Sequence, residues 1–281
     1  GRAIVGDNPY DITDTKYGNN NVTGPTTDKK DIKHGTHVAG IIAAERNNNK
    51  GIDGVANNVK IMVLRAVPDG DEYDKDIALS IRYAVDNGAS VINTSFGKYF
   101  STNPEWVIDA IKYADKNDVL IVNAAGNEGI DMDNIDIYPN DQFPSTPKEI
   151  VDNFLTVGAV TYNYGSGLVA GFSNYGKKTV DVFAPGTKIW STTPNNKYEY
   201  LQGTSMAAPA VTGVAATIRS YYPKLSAAQV KQIIMNSGLS SSATVQVGEI
   251  KSNKKFSEIS TSGKMVNLYN ALILADKVSK Q

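Results

Sequence analysis

The chain contains no cysteine. Disulfides, thiolate metal sites and a cysteine nucleophile are thereby excluded together. That absence does not fix a compartment, because 281 residues can build a core that folds without cross-links. Charge of one sign is not in excess either: 28 Lys and Arg against 29 Asp and Glu give a formal net charge of −1. No global basic surface is available to neutralise phosphates, so nucleic acid is not an expected partner. No run approaches the ~18 consecutive apolar residues of a membrane span. The opening Gly1-Arg2-Ala3-Ile4-Val5 has no methionine, no charged leader and no apolar stretch after it, so no signal peptide is visible. What remains is an ordinary globular composition, 41% hydrophobic and 20% charged, enough for one large domain or two small ones.

Residues 1–33 read as a polar segment punctuated by Asp7-Asn8-Pro9, Asn19-Asn20-Asn21 and Gly24-Pro25. From His34 onward, Val38, Ile41 and Ile42 fall at helical spacing among Gly and Ala. Apolar runs at 60–64, 90–93 and 119–122 then alternate with helical patterns at 77–85 and 106–115. Strands that are apolar throughout predict a parallel sheet covered on both faces, a three-layer α/β/α architecture. Further strands are expected at 154–160 and 180–183, a hairpin at 189–201, and helices at 205–222, 227–235 and 266–278. Residues 239–262 are Ser- and Thr-rich, which predicts an exposed excursion from the 34–281 domain.

Three segments place reactive or small residues at strand–helix junctions. His34-Gly35-Thr36-His37-Val38-Ala39-Gly40 offers an imidazole whose proton affinity suits general base work. A polar helix start and a packed core histidine are the plainer readings of His34 and His37. Ala124-Ala125-Gly126-Asn127-Glu128-Gly129 follows a strand end, where α/β proteins place their sites, and Asn127 carries an amide donor suited to an oxyanion. It is equally a turn asparagine. Gly203-Thr204-Ser205-Met206-Ala207-Ala208-Pro209 opens a long helix. Ser205 there is either an N-cap or an exposed nucleophile whose own N–H, at the positive helix end, is a second oxyanion donor.

Taken together and in order, these segments resemble the signatures of the subtilisin-like serine proteases, the subtilases. Phe172-Ser173-Asn174-Tyr175-Gly176 and Asp181-Val182-Phe183-Ala184-Pro185-Gly186 match further segments of that family, and the likeness covers residues 34–238, resuming near Gly263. The resemblance implies a subtilisin-like α/β fold and a serine endopeptidase working through an acyl-enzyme. Ser205 would be the nucleophile, His34 the general base, and Asn127 with the Ser205 amide the oxyanion hole. Ser95, Phe96 and Gly97 would pair with the substrate backbone as an added strand. Ala124, Ala125 and Gly126 would wall the pocket for the residue before the cut. His37 matches a structural position. The implied partner is a polypeptide substrate, the implied location secreted or cell-envelope, and no cofactor is required. Two rivals stand beside this reading. One is a catalytically silent peptide-binding module using the same edge. The other is an esterase, whose Gly-x-Ser-x-Gly elbow the Gly-Thr-Ser-Met-Ala segment does not match.

The family's third catalytic residue is an aspartate closing an apolar strand in Asp-Ser/Thr-Gly. None of the five aspartates before His34 (Asp7, Asp11, Asp14, Asp28 and Asp31) sits in that pattern. The expectation is that the acid lies upstream of Gly1, that residues 1–33 belong to an insertion between the acid and the histidine, and that this stretch alone is impaired. Edges left by the strands it lacks would invite pairing with another chain. Three weaker signals remain. The acidic run Asp69, Asp71, Glu72, Asp74 and Asp76 complements a helix dipole or selects basic substrate side chains. Asp131, Asp133 and Asp136 form a second acidic loop of a kind that binds calcium elsewhere in the family, but their spacing fits no metal loop, and Asn47-Asn48-Asn49, in a region where some relatives bind calcium, brings no carboxylate. Tyr162, Tyr164, Tyr198 and Tyr200 read as half-buried strand or loop residues rather than a carbohydrate platform.

Overall fold

The computed structural model describes residues 6–23, 32–67, 70, 72–146 and 148–281. In chain order, α1 (Lys33–Ala43) and α2 (Asp74–Asp86) precede β1 (Val91–Thr94), α3 (Pro104–Lys116), β2 (Leu120–Ala124), β3 (Phe154–Val160) and β4 (Val182–Pro185). A hairpin of β5 (Ile189–Thr193) and β6 (Lys197–Leu201) leads into α4 (Thr204–Tyr221) and α5 (Ala227–Ser237). The remainder is β7 (Leu239–Ser240), β8 (Thr244–Val247), β9 (Ser252–Lys255), β10 (Lys264–Met265) and α6 (Leu268–Val278).

The main sheet runs β1-β2-β3-β4-β10-β7, with every pair parallel except the antiparallel β10–β7. Both faces are covered, and the alternation of side chains along each strand shows how. Leu120 and Val122 of β2 join the core built with α4, α5 and α6, whereas Ile121 between them joins the opposite core with α2 and α3. Helix α3 turns Val107, Ala110, Ile111 and Ala114 inward at intervals of three and four, and Pro104 starts it where a missing N–H costs nothing. Helix α5 is fixed at its start by a capping box between Ser226 and Gln229. The three-layer, largely parallel architecture is the one the sequence predicts.

Three expectations need correction. The run 60–64 forms no strand, and Ile61, Met62 and Val63 are 43%, 40% and 55% exposed. Apolar composition alone does not make a strand; the backbone needs a neighbour to bond, and none of the described strands lies alongside. The segment 239–262 is not an exposed excursion. Val245, Val247, Phe256 and Ile259 are wholly buried, in a third core beneath β8 and β9 where the Phe183 and Phe256 rings lie 5.5 Å apart. Of the two readings of the acidic run, the helix-dipole one fits Asp74 and Asp76, which stand in the first turn of α2; Asp74 is buried, pairs with Lys98 at 2.7 Å and accepts from the Thr102 and Asn103 amides before α3. Tyr162, Tyr164 and Tyr200 are exposed rather than half-buried. Asp69 and Asp71 lie outside the described residues. Asp133 accepts from the Lys177, Lys178 and Thr179 amides at 2.8, 3.0 and 3.1 Å, so its carboxylate organises a backbone turn.

Opposite the C-terminal strand ends lies a buried charge cluster. Lys231 of α5 is fully buried, 2.8 Å from Glu149 and 3.7 Å from Asp181. Asp141 completes the group. Burial pushes the lysine down, but the three carboxylates outweigh it and hold the lysine charged. Three acids around one base are two more than its charge can balance, so they cannot all ionise freely. Burial drives Asp141 up to about 8, against the pull of Lys231. Its folded value thus exceeds the ordinary 3.8, so the stability it contributes at low pH is lost as pH rises from about 4 to about 8. Asp141→Asn is therefore expected to raise the unfolding free energy at pH 8 by about 1–3 kcal/mol, with the gain vanishing toward pH 4. Thermal melts of both proteins across that range check it; a gain independent of pH contradicts it.

Candidate active site

The parallel strands all point their C-terminal ends at the start of α4, and the site is assembled there. Gly203 leads into the helix at φ +146, a conformation open to glycine and strained for other residues. Ser205 follows in the first turn, half-buried. Pro209, four residues on, has no N–H to offer the Ser205 carbonyl. That carbonyl instead accepts from Ser95 Oγ at 2.9 Å, while Ser205 Oγ donates to the Ser95 carbonyl at 3.1 Å. The serine and the proposed substrate edge are thus bonded reciprocally. Asn93 Nδ2 donates to Ser95 Oγ at 2.9 Å and orients it from β1.

Asn127 is held by the same helix end. Its Oδ1 accepts from the Thr204 amide at 2.8 Å and from Thr204 Oγ1 at 3.1 Å. With the oxygen so engaged, the Nδ2 protons are the groups left to face a ligand. Thr204 Oγ1 in turn accepts from the Gly126 amide at 3.0 Å. Gly126, at φ +103, leaves no room for a side chain, because a Cβ would fall 2.3 Å from Asn174 Nδ2. Asn174 is wholly buried. Its Oδ1 accepts from the Glu128 and Ile130 amides at 3.1 and 3.0 Å, and its Nδ2 donates to the Ala125 carbonyl at 2.8 Å. The loop 124–130 is therefore bolted from beneath by Asn174 and from the side by Thr204.

His34 lies in the first turn of α1, one turn before Val38, which packs with Ile41, Ile42 and Met206. That packing brings the two helix starts together. No hydrogen bond joins His34 to Ser205 among the described residues. The residue is exposed, yet desolvation by the surrounding protein, with the nearby His37, lowers its proton affinity. His37 is fully buried, its Nε2 3.1 Å from both the Ile189 and Glu199 carbonyls, a structural tie between α1 and the β5–β6 hairpin. None of the three described N-terminal aspartates reaches His34. Asp7 is buried against the fully buried Lys75, Asp14 accepts from the Asn8 amide at 2.9 Å and Asp11 from that of Thr13 at 2.9 Å. Asp28 and Asp31 lie outside the described residues.

Beyond Ser95, the chain bridges to Tyr138 through paired Lys98 bonds of 2.8 and 2.9 Å, leaving Gly97 exposed. Phe96 packs into the α2–α3 core. Ala124 and Ala125 bury their methyl groups in two cores, so of that trio only Gly126 offers partly open surface. The residues that matter most here without having been singled out are Thr204, Asn174 and Pro209. Each stands inside a matched segment, but its role is a contact to a distant part of the chain.

The His34 imidazole is expected to titrate below its ordinary 6.5. Folding stability from this group is then present above 6.5 and lost as pH falls through the lower folded value. Proton NMR of the ring checks this directly. A midpoint above 6.5 would reveal a carboxylate partner at the ring.

Comparison with known proteins places the chain among proteases. The profile of the subtilase family matches residues 6–263. Over 224 residues the chain is 42% identical to the thermophilic serine proteinase of Bacillus sp. (strain AK1), an alignment covering 78% of this chain and 48% of that protein. The chain thus spans about half the length of that relative. It is 38% identical to the major intracellular serine protease of Bacillus subtilis (strain 168), covering 75% and 64% of the two chains. Among solved structures, a protease of Pseudoalteromonas arctica PAMC 21717 superposes with a TM-score of 0.69 at 30% identity, covering 86% of this chain and 70% of the other. On sequence, on fold and on the segments that build the helix start, the chain belongs to the subtilase family.

Proposed function

We propose that this chain is the catalytic region of a serine endopeptidase that cleaves polypeptides through an acyl-enzyme on Ser205. The observation that carries the reading is the Thr204 clamp, which fixes Asn127 Oδ1 next to the nucleophile and leaves the Nδ2 protons without a hydrogen bond among the described residues. In the proposed cycle the Ser205 hydroxyl leaves the Ser95 carbonyl and gives its proton to His34 as its oxygen attacks the scissile carbonyl. The resulting oxyanion takes hydrogen bonds from Asn127 Nδ2 and the Ser205 amide, donors of a kind each worth about 10²–10³ in rate. His34 then protonates the leaving amine, and water reverses the sequence to release the acyl group. The acyl side of the substrate lies along Ser95–Gly97 as an added strand, with Gly126 at the pocket beside it. Nucleophile, base and oxyanion donors are all protein groups, so the chemistry calls on no cofactor.

A third group, a carboxylate behind His34, belongs to the same proposal. It would come from a strand upstream in the full protein, lying along the free edge of β1. Two features support that placement. β1 pairs on one side only among the described strands, and Ile61, Met62 and Val63 lie exposed in an unpaired run. Without this carboxylate the chain would be impaired; loss of the corresponding aspartate from a subtilisin triad costs about 10⁴–10⁵ in kcat. Secretion does not follow from membership alone, since one relative is named as intracellular. A second reading, a silent peptide-binding module, is favoured by one observation: Ser205 Oγ is hydrogen-bonded to Ser95 and not to His34.

A fluorophosphonate probe is expected to label the protein at Ser205, with S205A blank and H34A slowed by about 10² or more. Extending the chain upstream to include an Asp-bearing strand is expected to raise peptide turnover by about 10⁴. Equal turnover with and without the extension overturns the carboxylate proposal. An extended chain that neither labels nor cleaves overturns the protease in favour of the binding module.

A further inference from the structure

A cavity of about 360 Å³ opens beside Asn127, and one of its walls is the tip of the β8–β9 hairpin. It includes none of the residues placed on the acyl side, neither Ser95, Phe96 and Gly97 nor the pocket wall Ala124, Ala125 and Gly126. Since Asn127 marks the scissile carbonyl and the acyl side runs along 95–97 in the proposed reading, the direction left for this cavity is the leaving-group side. Its floor is apolar, with Val169 and Phe172, and three charged groups stand at its rim: Glu128, Glu249 and Lys251.

The tip is held in place by backbone crossing. Gly129 and Gly248 both sit at positive φ, +64 and +70. A Cβ on Gly129 would come within 2.9 Å of the Gly248 Cα, and one on Gly248 within 2.7 Å of the Gly129 carbonyl. Only glycine at both positions permits that approach. Behind the crossing, Val245 and Val247 are buried in the third core, and Lys254 lies over the Tyr175 ring at 5.3 Å and pairs with Asp131 at 3.4 Å. The turn is thus anchored on both strands, while Glu249 and Lys251 are left exposed. Glu128 Oε2 accepts from the Asn127 amide at 2.9 Å, and neither Glu128 nor Glu249 makes an ion pair with a cation among the described residues, Lys251 included. Two carboxylates to one ammonium over an apolar floor suit a side chain with a long aliphatic stem and a cationic head.

We propose, resting on the protease reading, that the β8–β9 tip forms a leaving-side subsite that favours lysine or arginine in the peptide after the cut. Glu128 and Glu249 would hold the cationic head, Val169 and Phe172 the stem, and Lys251 would limit the preference.

The test uses two fluorescently labelled peptides, alike except for a central lysine or a central glutamate, with binding read by anisotropy on the S205A protein. The lysine peptide is expected to bind about threefold tighter, the range of exposed charge pairs. Glu249→Lys is expected to erase that margin and Lys251→Glu to widen it; both positions are exposed turn residues whose exchange leaves the cores intact. Equal binding of the two peptides, or a margin indifferent to both substitutions, overturns the subsite. Cleavage of the same peptides by the Ser205-intact, upstream-extended chain is followed in parallel by mass spectrometry. Lysine is expected in the fragment with the new amino terminus, and lysine confined to the acyl-side fragment overturns the leaving-side assignment. A lysine margin without any cleavage counts against the protease reading alone, and cleavage without a margin counts against the subsite alone.

Discussion

The site depends on how closely α4 lies against the sheet. Ala207, Ala208, Val211 and Ala215 are wholly buried against strand residues such as Val122, Val157 and Ala184, and Gly213 meets Val55, where a Cβ would fall 2.6 Å from the valine. Only small side chains let a helix backbone settle this near a pleated surface already filled by valines and leucines. The same economy of volume governs α1, where a Cβ on Gly40 would fall 2.2 Å from Thr192 Oγ1. The position of α4 along the strands is fixed by interlocking side chains such as Val211 and Ile218, by a Thr212 Oγ1–Asn93 Oδ1 hydrogen bond of 2.9 Å, and by polar contacts at its first turn. Thr204 and Ser205 make those contacts, to Gly126, Asn127 and Ser95. Groups that help register the helix therefore stand among those placed to carry out chemistry.

The two ends of the sheet handle polarity differently. At the C-terminal strand ends, neutral amides and hydroxyls bond one another and leave donors facing outward. At the other end, Lys231 is sealed in with Glu149, Asp181 and Asp141, and Asp181 also accepts from the Thr156 amide at 2.7 Å. Charges buried in that way tie α5 and the 141–149 loop to the sheet, and they make the anchorage sensitive to proton uptake.

Much of this was readable in the residues. The β2 and β3 runs are apolar on both faces, and only a doubly covered parallel strand needs that. The helix starts at 34 and 205 stood out through their dense Gly and Ala. The failures have physical causes. Ile61, Met62 and Val63 are strand-like in composition, but strand formation is decided by a neighbour that the segment itself cannot specify. In 244–247 the alternation Thr-Val-Gln-Val is a half-buried strand too short to stand out among serines and threonines, and its partner core includes Phe183, some sixty residues earlier. Asn174 reads as a loop asparagine because its four bonds go to residues 99–130. Local sequence reports propensity and periodicity well; it is silent about which distant backbone a buried amide will serve.

Pro209 carries a last consequence. A proline inside a helix ordinarily costs about 3 kcal/mol, since it removes one hydrogen bond and crowds the carbonyl four residues before it. Here the orphaned carbonyl belongs to Ser205 and is taken up by Ser95 Oγ. An alanine at this position would make a better helix, closing the ladder on itself and drawing the Ser205 carbonyl back into the helix. Ser95 Oγ would then lose its acceptor, leaving the Ser205 Oγ bond to the Ser95 carbonyl as the remaining half of the reciprocal pair between the β1 end and the nucleophile. Helical imperfection and positional accuracy are here one device, so substitutions that improve local stability at the head of α4 would trade away alignment between helix and sheet.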